Sequence, residues 1–423
     1  MNRVIDSREL LNVHHKHHNK SKLEKIYEDY SNRIIYVSDR YPLVNLSKEP
    51  NMWSKEFHDR TWLFWHHCLV SVGYLIDSYF IDFNKRKLKL AYNIVIDWNN
   101  HNNSLDALNE MAWHDHSTAL RLLNITKLYI TLKNNKQNKM CERLLDIVNS
   151  HMEKLADVNF YMPKHNHGLD QDVALLYAAL FVKKENQDGE YAQLAVQRFW
   201  EQLYNIFAED GSYLEHSPQY IYLMLERLLN VYKLTKNIIQ RNNEELFNSI
   251  TNIVEFLIYI LHPNGNFPTL GDSENVRFKF SSPDWKLISE EQYQVLNSLI
   301  NKNNNTSIEK PLDKVFKDGD YAFLRNNWEN NHSTNQIIFT SAFHSRVHKH
   351  HDDLSFILYS KNLPIFIDSG KYSYEYDKEQ RKYVTSNLGH NTIRLNKMDS
   401  TISRLNIGKS GILSWLLTKN RSE

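Results

Sequence analysis

The sequence predicts a multidomain α+β protein in which a domain of helical hairpins precedes an antiparallel β domain. From about residue 55 to about residue 305, apolar residues recur at three- and four-residue spacing in about nine segments, which short polar breaks separate. Near residue 318 the pattern changes to short runs rich in Ile, Phe and Tyr, bounded by Asp, Gly and Asn. Helices in succession without intervening strands indicate an all-α domain, and the later runs indicate β-strands.

These two patterns divide the chain into four parts. Residues 1–50 are polar and weakly periodic, which predicts a solvated N-terminal arm, and residues 51–303 form the all-α domain. The segment 304–317 predicts a linker, and residues 318–423 predict an antiparallel β-sheet domain. The hairpins share no sequence repeat, so periodicity alone does not distinguish a bundle from a solenoid or a closed toroid.

The composition excludes several classes of protein. At 423 residues the chain is long enough for two domains. Its 51 basic and 50 acidic residues nearly cancel, so no overall charge attracts nucleic acid, and a polyanionic ligand requires a local basic cleft. The two cysteines, Cys68 and Cys141, cannot build a disulfide framework, and neither has a CxxC partner.

The sequence carries no targeting signal that we identify. The N-terminus lacks an apolar core of the signal-peptide kind, and no run of about eighteen apolar residues exists to span a bilayer. We therefore expect a cytoplasmic protein, or a periplasmic or secreted one if a leader has been removed. The sequence does not predict the oligomeric state.

The stretch KHNHGLDQD (164–172) sets polar groups at the head of a helix that then becomes apolar. Asn166, His167 and Gln171 are the candidate functional residues. Helix capping by Asn166 or Asp170 is the simpler interpretation of the local sequence.

A second stretch, DGSYLEHSPQYIY (210–222), surrounds a helix start. Pro218 is ordinary in a first turn, and Glu215 and Tyr220 are the side chains that bear chemistry. By itself, Tyr220 is more simply interpreted as a half-buried aromatic residue of the core.

The stretch VHKHHDDLSF (347–356) crowds three histidines and two aspartates before an apolar run. In a strand, alternate residues share a face, so His348, His350 and Asp352 are expected to point one way, and His351 and Asp353 the other. Two imidazoles and a carboxylate suit zinc or a proton relay. The alternative is a polar strand end.

Two later residues extend this cluster. Asp368 ends an apolar strand-like run, and His390 opens another at GHNT. With His350 they complete a set of two histidines and one carboxylate, provided that the strands are neighbours.

Taken together, these stretches resemble the heparinase II/III-like polysaccharide lyases and the related alginate and oligoalginate lyases. The resemblance runs in ordered blocks from about residue 60 to about residue 395. The blocks are WHDHSTALR (113–121), NHGLDQD, DGSYLEHSPQY, His348-Lys-His350-His-Asp352-Asp-Leu-Ser355-Phe356, Asp368-Ser-Gly370-Lys-Tyr372, Arg381-Lys-Tyr383 and His390-Asn391-Thr392.

The resemblance implies a fold, and it also implies that the β domain of this chain is shorter than is usual in the family. Members of this family have an N-terminal incomplete (α/α) toroid followed by an antiparallel β-sandwich, with the active cleft between them. They usually continue well past the HNT block with further strands. The β domain of this chain, residues 319–423, is therefore expected to be a shortened sandwich, whose exposed sheet edges need covering.

The resemblance also implies β-elimination of a glycan that contains uronic acid. The reaction requires that the uronate carboxylate be neutralised, the C5 proton be removed and the departing O4 be protonated. Asn166 and His167 are expected to engage the carboxylate. Tyr220 is expected to protonate O4, and to act as base when both groups lie on one face, and His348 to be the base for the opposite stereochemistry.

The other implied residues bind substrate or metal. Gln171, Glu215, Arg346, Arg381 and Tyr383 are expected to contact an acidic polysaccharide or oligosaccharide. A tyrosine with a pKa near 10 is a poor base at neutral pH, so a cation such as Arg346, Arg381 or a metal is expected to lower its pKa. A structural Zn²⁺, held by His350, Asp368 and His390, is the expected cofactor, with no organic cofactor.

Three other functions compete with this interpretation. A non-catalytic glycan-binding or polysaccharide-assembly protein would be marked by loss of Tyr220 or His348, and neither is lost. A glycoside hydrolase on an (α/α) toroid uses paired carboxylates, and the candidates Asp210, Glu215 and Asp272 are not clearly paired. A metal-dependent enzyme of another class needs an open zinc position. The sequence predicts neither which uronate polymer is cleaved nor whether cleavage is internal or terminal.

Overall fold

The computed structural model describes residues 6–11, 13, 18–46, 52–53, 59–103, 109–184, 189–236, 243–301, 308–329 and 331–415. Within them, one compact unit extends to Leu203 and a second begins at Tyr204.

The first unit is helical apart from a short two-stranded ladder. Its ladder pairs β1 (Ile34–Ile35) with β2 (Val44–Asn45). Its helices are α1 (Lys20–Ser31), α2 (Arg60–His67), α3 (Val70–Asp82), α4 (Lys85–Asn102), α5 (Asp115–Asn134), α6 (Asn138–Ala156), α7 (Asn166–Tyr177), which a π-helical turn (Ala178–Lys183) continues, and most of α8 (Glu190–Ile206).

Helix α5 is the centre of this unit because it is buried along nearly its whole length. It packs against α3, α6 and α7. Its one buried guanidinium, Arg121, is fully enclosed and donates to His151 Nε2 at 2.8 Å and to the carbonyl of His67 at 2.8 Å. Trp98 lies 3.8 Å from the guanidinium carbon, so a cation–π contact stabilises this buried charge.

Helix α1 lies in the segment predicted to be a solvated arm. Leu23, Ile26 and Tyr30 are buried and follow three- and four-residue spacing, so they form the inner stripe of an amphipathic helix that packs against α3. The abundant Lys and Glu on the outer face hide this stripe in the composition of the segment.

The second unit combines helices with a sheet. Its helices are α9 (Gln219–Thr235), α10 (Asn243–Ile260), α11 (Glu290–Asn301) and α12 (Glu379–Thr385). Its five strands are antiparallel in chain order: β3 (Lys314–Phe316), β4 (Tyr321–Arg325), β5 (Asn335–Thr340), β6 (Ser355–Ser360) and β7 (Leu363–Phe366). In the described residues these form one sheet.

The sheet follows the predicted alternation and packs on a helix of its own unit. In β4 the buried residues alternate with half-exposed ones. Phe256 of α10 makes edge-to-face contacts with Phe316, Tyr321 and Phe323 of this sheet, with ring centroids 5.0 to 5.8 Å apart. Because these rings tie α10 to the strands, the compact units divide well before the predicted linker at 304–317.

Two predicted strands differ from the structure. The histidine-rich stretch 347–350 is a loop, and β6 begins only at Ser355. His390 follows a 3₁₀ turn (Asn387–Gly389), and the run after it forms only an isolated bridge between Leu395 and Met398. In the described part of the chain, no helix is both long and apolar enough to cross a membrane.

Candidate active site

Asp272 is the centre of a hydrogen-bond cluster in the second unit. Its Oδ2 accepts from Nδ1 of His348 at 2.9 Å. Its Oδ1 accepts from Nε2 of His350 at 2.9 Å and from Nη1 of Arg381 at 2.5 Å. Only 2% of Asp272 is exposed. Two histidines of the crowded stretch therefore meet on one buried carboxylate.

This carboxylate is held in its charged form. Burial raises the pKa of Asp272, but the hydrogen bonds from His348, His350 and Arg381 outweigh burial and keep the pKa well below its usual range. An ionised carboxylate accepts only, so each of these three donors keeps its proton on the nitrogen that faces Asp272.

His348 is held in a strained position against Tyr220. Its φ of 53° lies in the left-handed region, which a residue with a Cβ rarely occupies. Its ring stacks on the ring of Tyr220 with centroids 4.6 Å apart and an interplanar angle of 12°. Its second nitrogen, Nε2, is buried and has no hydrogen-bond partner among the described residues.

Tyr220 lies in the first turn of α9, and its hydroxyl shares a hydrogen bond with the hydroxyl of Tyr374. Burial raises the pKa of Tyr220 to about 12; the bond to Tyr374 lowers it in part, and nearby carboxylates such as Asp272 raise it. Neither predicted arginine is a main influence on this pKa: Arg381 is bonded to Asp272, and Arg346 is exposed. Tyr220 is therefore a proton donor at neutral pH.

A group of three side chains of metal-ligand type adjoins this cluster. Ligand atoms of Asp352, Asp368 and His390 all lie within 4.8 Å of one another, and all three residues are buried. Nδ1 of His390 is 3.2 Å from Oδ1 of Asp368. The predicted ligand His350 lies beside this group, with its ring centroid 5.3 Å from that of His390.

His350 is not a member of this gathered group, in which Asp352 takes its place, but each predicted ligand still has an unused buried atom. Nδ1 of His350, Oδ2 of Asp368 and Nε2 of His390 are all buried without a hydrogen-bond partner among the described residues. Buried polar atoms are rarely left unpaired, since the cost is about 1–3 kcal/mol each. Asp352 is different because Lys349 already pairs with it. Two imidazoles and one carboxylate are suitable zinc ligands.

The first unit holds the other predicted catalytic residues. Helix α7 begins at Asn166, and its N-cap is His165, whose side chain accepts from the backbone N–H of His167 at 3.1 Å. Asp170 instead bonds to Nε2 of His116 at 2.7 Å. The simple capping interpretation of Asn166 and Asp170 therefore does not describe this helix start.

His167 lies within a cluster of histidines and aspartates. Its Nδ1 bonds to Asp115 at 3.0 Å, and His114 bonds to the other oxygen of Asp115 at 2.7 Å. The ring of His116 stacks on that of His167 with centroids 4.0 Å apart. Burial, together with the neighbouring His116, lowers the pKa of His167 to about 4, so this imidazole is neutral at pH 7.

We expect acid to destabilise the first unit through His167. Its pKa is about 4 in the folded chain and near 6.5 in the unfolded chain, so the unfolded chain binds more protons between these values. Stability therefore falls as the pH drops through this window, by about 1–2 kcal/mol between pH 7 and pH 5. Urea unfolding should show a smaller acid loss for His167→Gln than for the parent. Equal losses would contradict a neutral His167.

The remaining predicted substrate residues fall into two groups. Gln171 and Glu215 are buried and bonded internally: Gln171 bonds to the backbone of Phe160 and Met162, and Glu215 accepts from the hydroxyl of Tyr213 at 2.7 Å. Arg346 and Tyr383 are exposed, and Arg381 is buried on Asp272.

The three carboxylates considered for a hydrolase have separate partners. Asp210 accepts from Ser212 and from the backbone of Asp318, Glu215 accepts from Tyr213, and Asp272 accepts from the histidines. These bonds give each of the three carboxylates its own partners within the described residues.

Sequence reasoning missed several residues of the site. Tyr374 and Asp115 were not singled out, and Asp272 was considered only as a hydrolase carboxylate. Tyr374 carried a weak signal, because it lies two residues after Tyr372 of the D-x-G-x-Y block. Asp115 lies inside the WHDHSTALR block, between two histidines.

Family models match both parts of the chain. The model described as Heparinase II/III N-terminus matches residues 82–288, and the one described as Heparinase II/III-like, C-terminal, matches residues 309–416. The chain belongs to the heparinase II/III-like family. Both matches include predicted site residues: Asn166, His167 and Tyr220 in the first, and His348 in the second. No curated protein matches the chain.

Solved structures of this family are similar in fold. A heparinase III crystal structure has a TM-score of 0.74 at 16% identity and covers 94% of this chain and 67% of its own. A mutant of the heparan sulfate lyase HepC from Pedobacter heparinus has a TM-score of 0.70 at 16% identity, with coverage of 93% and 62%. A heparinase III with methylated lysines has a TM-score of 0.68 at 18% identity, with coverage of 92% and 64%.

These likenesses confirm the predicted fold class, which is a part built of helical hairpins followed by an antiparallel β part. This heparinase II/III-like chain spans 62% of the length of the HepC mutant and 67% of that of the heparinase III structure.

Proposed function

We propose that this protein is a polysaccharide lyase that cleaves a glycan containing uronic acid by β-elimination. The observation that carries the proposal is the stacked pair of Tyr220 and His348. Tyr220 holds a proton at neutral pH, and His348 has a second ring nitrogen that no described residue occupies. A proton donor and a proton acceptor side by side are what elimination requires.

The proton transfers follow from this pair. Nε2 of His348 takes the C5 proton, and the electrons of the C5–H bond form the C4–C5 double bond as the C4–O4 bond breaks. The hydroxyl of Tyr220 gives its proton to the departing O4, in place of its resting bond to Tyr374. Because the pKa of Tyr220 is raised, we assign it the acid role, and the base role to His348.

We assign neutralisation of the uronate carboxylate to Asn166 and His167, on the basis of the NHGLDQD block. The bond to Asp115 holds the proton of a neutral His167 on Nδ1. Its Nε2 is then an acceptor, so His167 must take up a proton before it can donate to a carboxylate. The Asn166 amide, which donates in its neutral form, is therefore the main partner.

Zn²⁺ is the proposed structural cofactor, and His350, Asp368 and His390 would hold it. When bound, it would neutralise buried charge and fix these three side chains behind the pair of Tyr220 and His348. The proton transfers themselves need only the side chains of this chain.

The proposed substrate is an acidic polysaccharide or oligosaccharide. A similar solved structure is that of a heparan sulfate lyase, so heparan sulfate is the first polymer to test. A screen of heparan sulfate, alginate and hyaluronan should show ultraviolet absorbance from an unsaturated product with one of them. Binding of a polymer without this absorbance would instead indicate the non-catalytic glycan-binding function.

Asn166→Ala should lower turnover by about 10²–10³-fold, because it removes a donor placed where charge develops. Melting temperature should change little, since the helix is capped by His165 and not by Asn166. His167→Ala should have the smaller effect on turnover. A large loss of melting temperature with unchanged turnover per folded molecule would show that Asn166 only supports the helix start.

A further inference from the structure

We propose that Asp272 is a positioning residue that sets the working nitrogens of both the base His348 and the metal ligand His350. This inference rests on the proposed lyase function, and extends it to a residue that is not expected to touch substrate or metal.

Each of the two oxygens of Asp272 bonds to one of the two histidines. Oδ2 accepts from Nδ1 of His348, and Oδ1 accepts from Nε2 of His350. An ionised carboxylate has no proton to give, so both histidines hold their proton on the nitrogen that faces it. In a neutral imidazole held in this way, the lone pair lies on the opposite nitrogen, which is Nε2 of His348 and Nδ1 of His350. Both are buried without a hydrogen-bond partner among the described residues.

The assignment matches what each histidine is proposed to do. A base needs a nitrogen without a proton, and so does a metal ligand. Histidine ligands usually donate their other N–H to a carboxylate, which fixes the ring and makes the ligand more basic. A carboxylate that also bonds the base through its second oxygen joins the two sites directly.

The loop that carries Asp272 is built to hold this carboxylate in place. Gly271 has a φ of 53°, and a Cβ there would lie 2.6 Å from the carbonyl oxygen of His216 and 3.0 Å from that of His348. Only glycine allows the loop to come so close to the backbone of His348. The N–H of Asp272 also donates to the hydroxyl of Ser217 at 2.7 Å. The loop that carries Asp272 therefore packs directly against the backbone of the strained His348.

Asparagine cannot replace Asp272 in this role. Its amide has one acceptor oxygen, so it can satisfy one histidine but presents an NH₂ group to the other. The histidine that faces the NH₂ group must move its proton to the opposite nitrogen, which then cannot act as base or ligand. In a comparable orienting role, the same change lowers kcat by as much as about 10⁴-fold.

The first experiment reads the protons directly in the unmodified protein. Nitrogen NMR of ¹⁵N-histidine-labelled protein, with His348→Ala and His350→Ala to assign the signals, should find the proton on Nδ1 of His348 and on Nε2 of His350. Any other pair of tautomers overturns the proposal. This measurement needs neither enzymatic activity nor a folded Asp272 variant.

The second experiment compares Asp272→Asn with Glu274→Gln. Both remove one carboxylate charge from the same loop, but Glu274 forms an ion pair with Lys371, whereas Asp272 bonds to the two histidines. Asp272→Asn should weaken Zn²⁺ binding in chelator competition by about 10- to 100-fold. It should also lower kcat at least about 100-fold with little change in KM, because Asp272 is buried away from substrate. Glu274→Gln should leave Zn²⁺ affinity and kcat nearly unchanged.

Each departure from this result has a definite meaning. Equal losses in the two variants, or an Asp272→Asn variant with parental Zn²⁺ affinity or parental kcat, overturn the proposal. If the parent cleaves no uronate polymer, the proposed lyase function fails. The tautomers and the Zn²⁺ affinity then still decide whether Asp272 positions the two histidines.

Discussion

Tyr220→Phe should abolish most of the turnover while leaving the fold intact. The change removes only the phenolic oxygen with its proton, and the ring that stacks on His348 remains. Loss of a general acid costs about 10²–10⁴-fold in rate, so kcat on the active polymer should fall by this factor. The melting temperature should be nearly unchanged, because the lost hydrogen bond joins Tyr220 to the exposed Tyr374.

Tyr222→Phe is a matched control for this experiment. Tyr222 lies two residues further along the same helix, and its ring stacks near Trp285 with centroids 6.2 Å apart. The same atom is removed from a phenol whose pKa is also raised to about 12 by burial, but no part of the proposed chemistry uses it. Near-parental turnover of Tyr220→Phe, or a comparable loss in Tyr222→Phe, would refute the acid role of Tyr220.

His350→Ala and His348→Ala should separate metal binding from catalysis. Elemental analysis of the parent should find about one zinc per chain. His350→Ala should lose the zinc and melt at a lower temperature, because metal binding stabilises the folded state. His348→Ala should keep the zinc and lose turnover, since its proposed role is to take the substrate proton.

The contrast is informative because the two histidines are close neighbours in sequence and bond to the same carboxylate. They present different ring nitrogens to Asp272, and therefore a different nitrogen of each remains for other work. A parent protein without metal would refute the zinc site. Two variants with the same metal content and the same turnover would show that the two histidines do not have separate roles in metal binding and catalysis.

The position of Asp352 makes it an alternative zinc ligand. The sequence placed Asp352 on the same face as His350, and the structure gathers it with Asp368 and His390. Its pairing with Lys349 already neutralises its charge. Asp352→Asn should therefore retain zinc better than His350→Ala does, and a complete loss of zinc in Asp352→Asn would place Asp352 in the ligand set instead.

Periodicity and local motifs by themselves determined the class of fold and most of the candidate residues. Helix and strand periods depend on residues a few positions apart, so the helices of the first unit other than α1, and strands β4 to β6, could be predicted without any structure. The same holds for the blocks around Asn166, Tyr220 and His348, whose residue types and spacing lie within single short segments. The roles of acid, base and metal ligand were implied by the resemblance of these blocks to the heparinase II/III-like lyases.

Only the tertiary structure decided which of these groups meet and in what state. Asp272 is separated from His348, His350 and Arg381 by 76, 78 and 109 positions, and Tyr220 from Tyr374 by 154. No period or spacing records such pairings, because they arise when loops from distant segments pack together. The pKa of Tyr220 is the clearest case. The sequence predicted that a cation such as Arg381 would lower it, whereas burial raises it and Asp272 already binds that guanidinium.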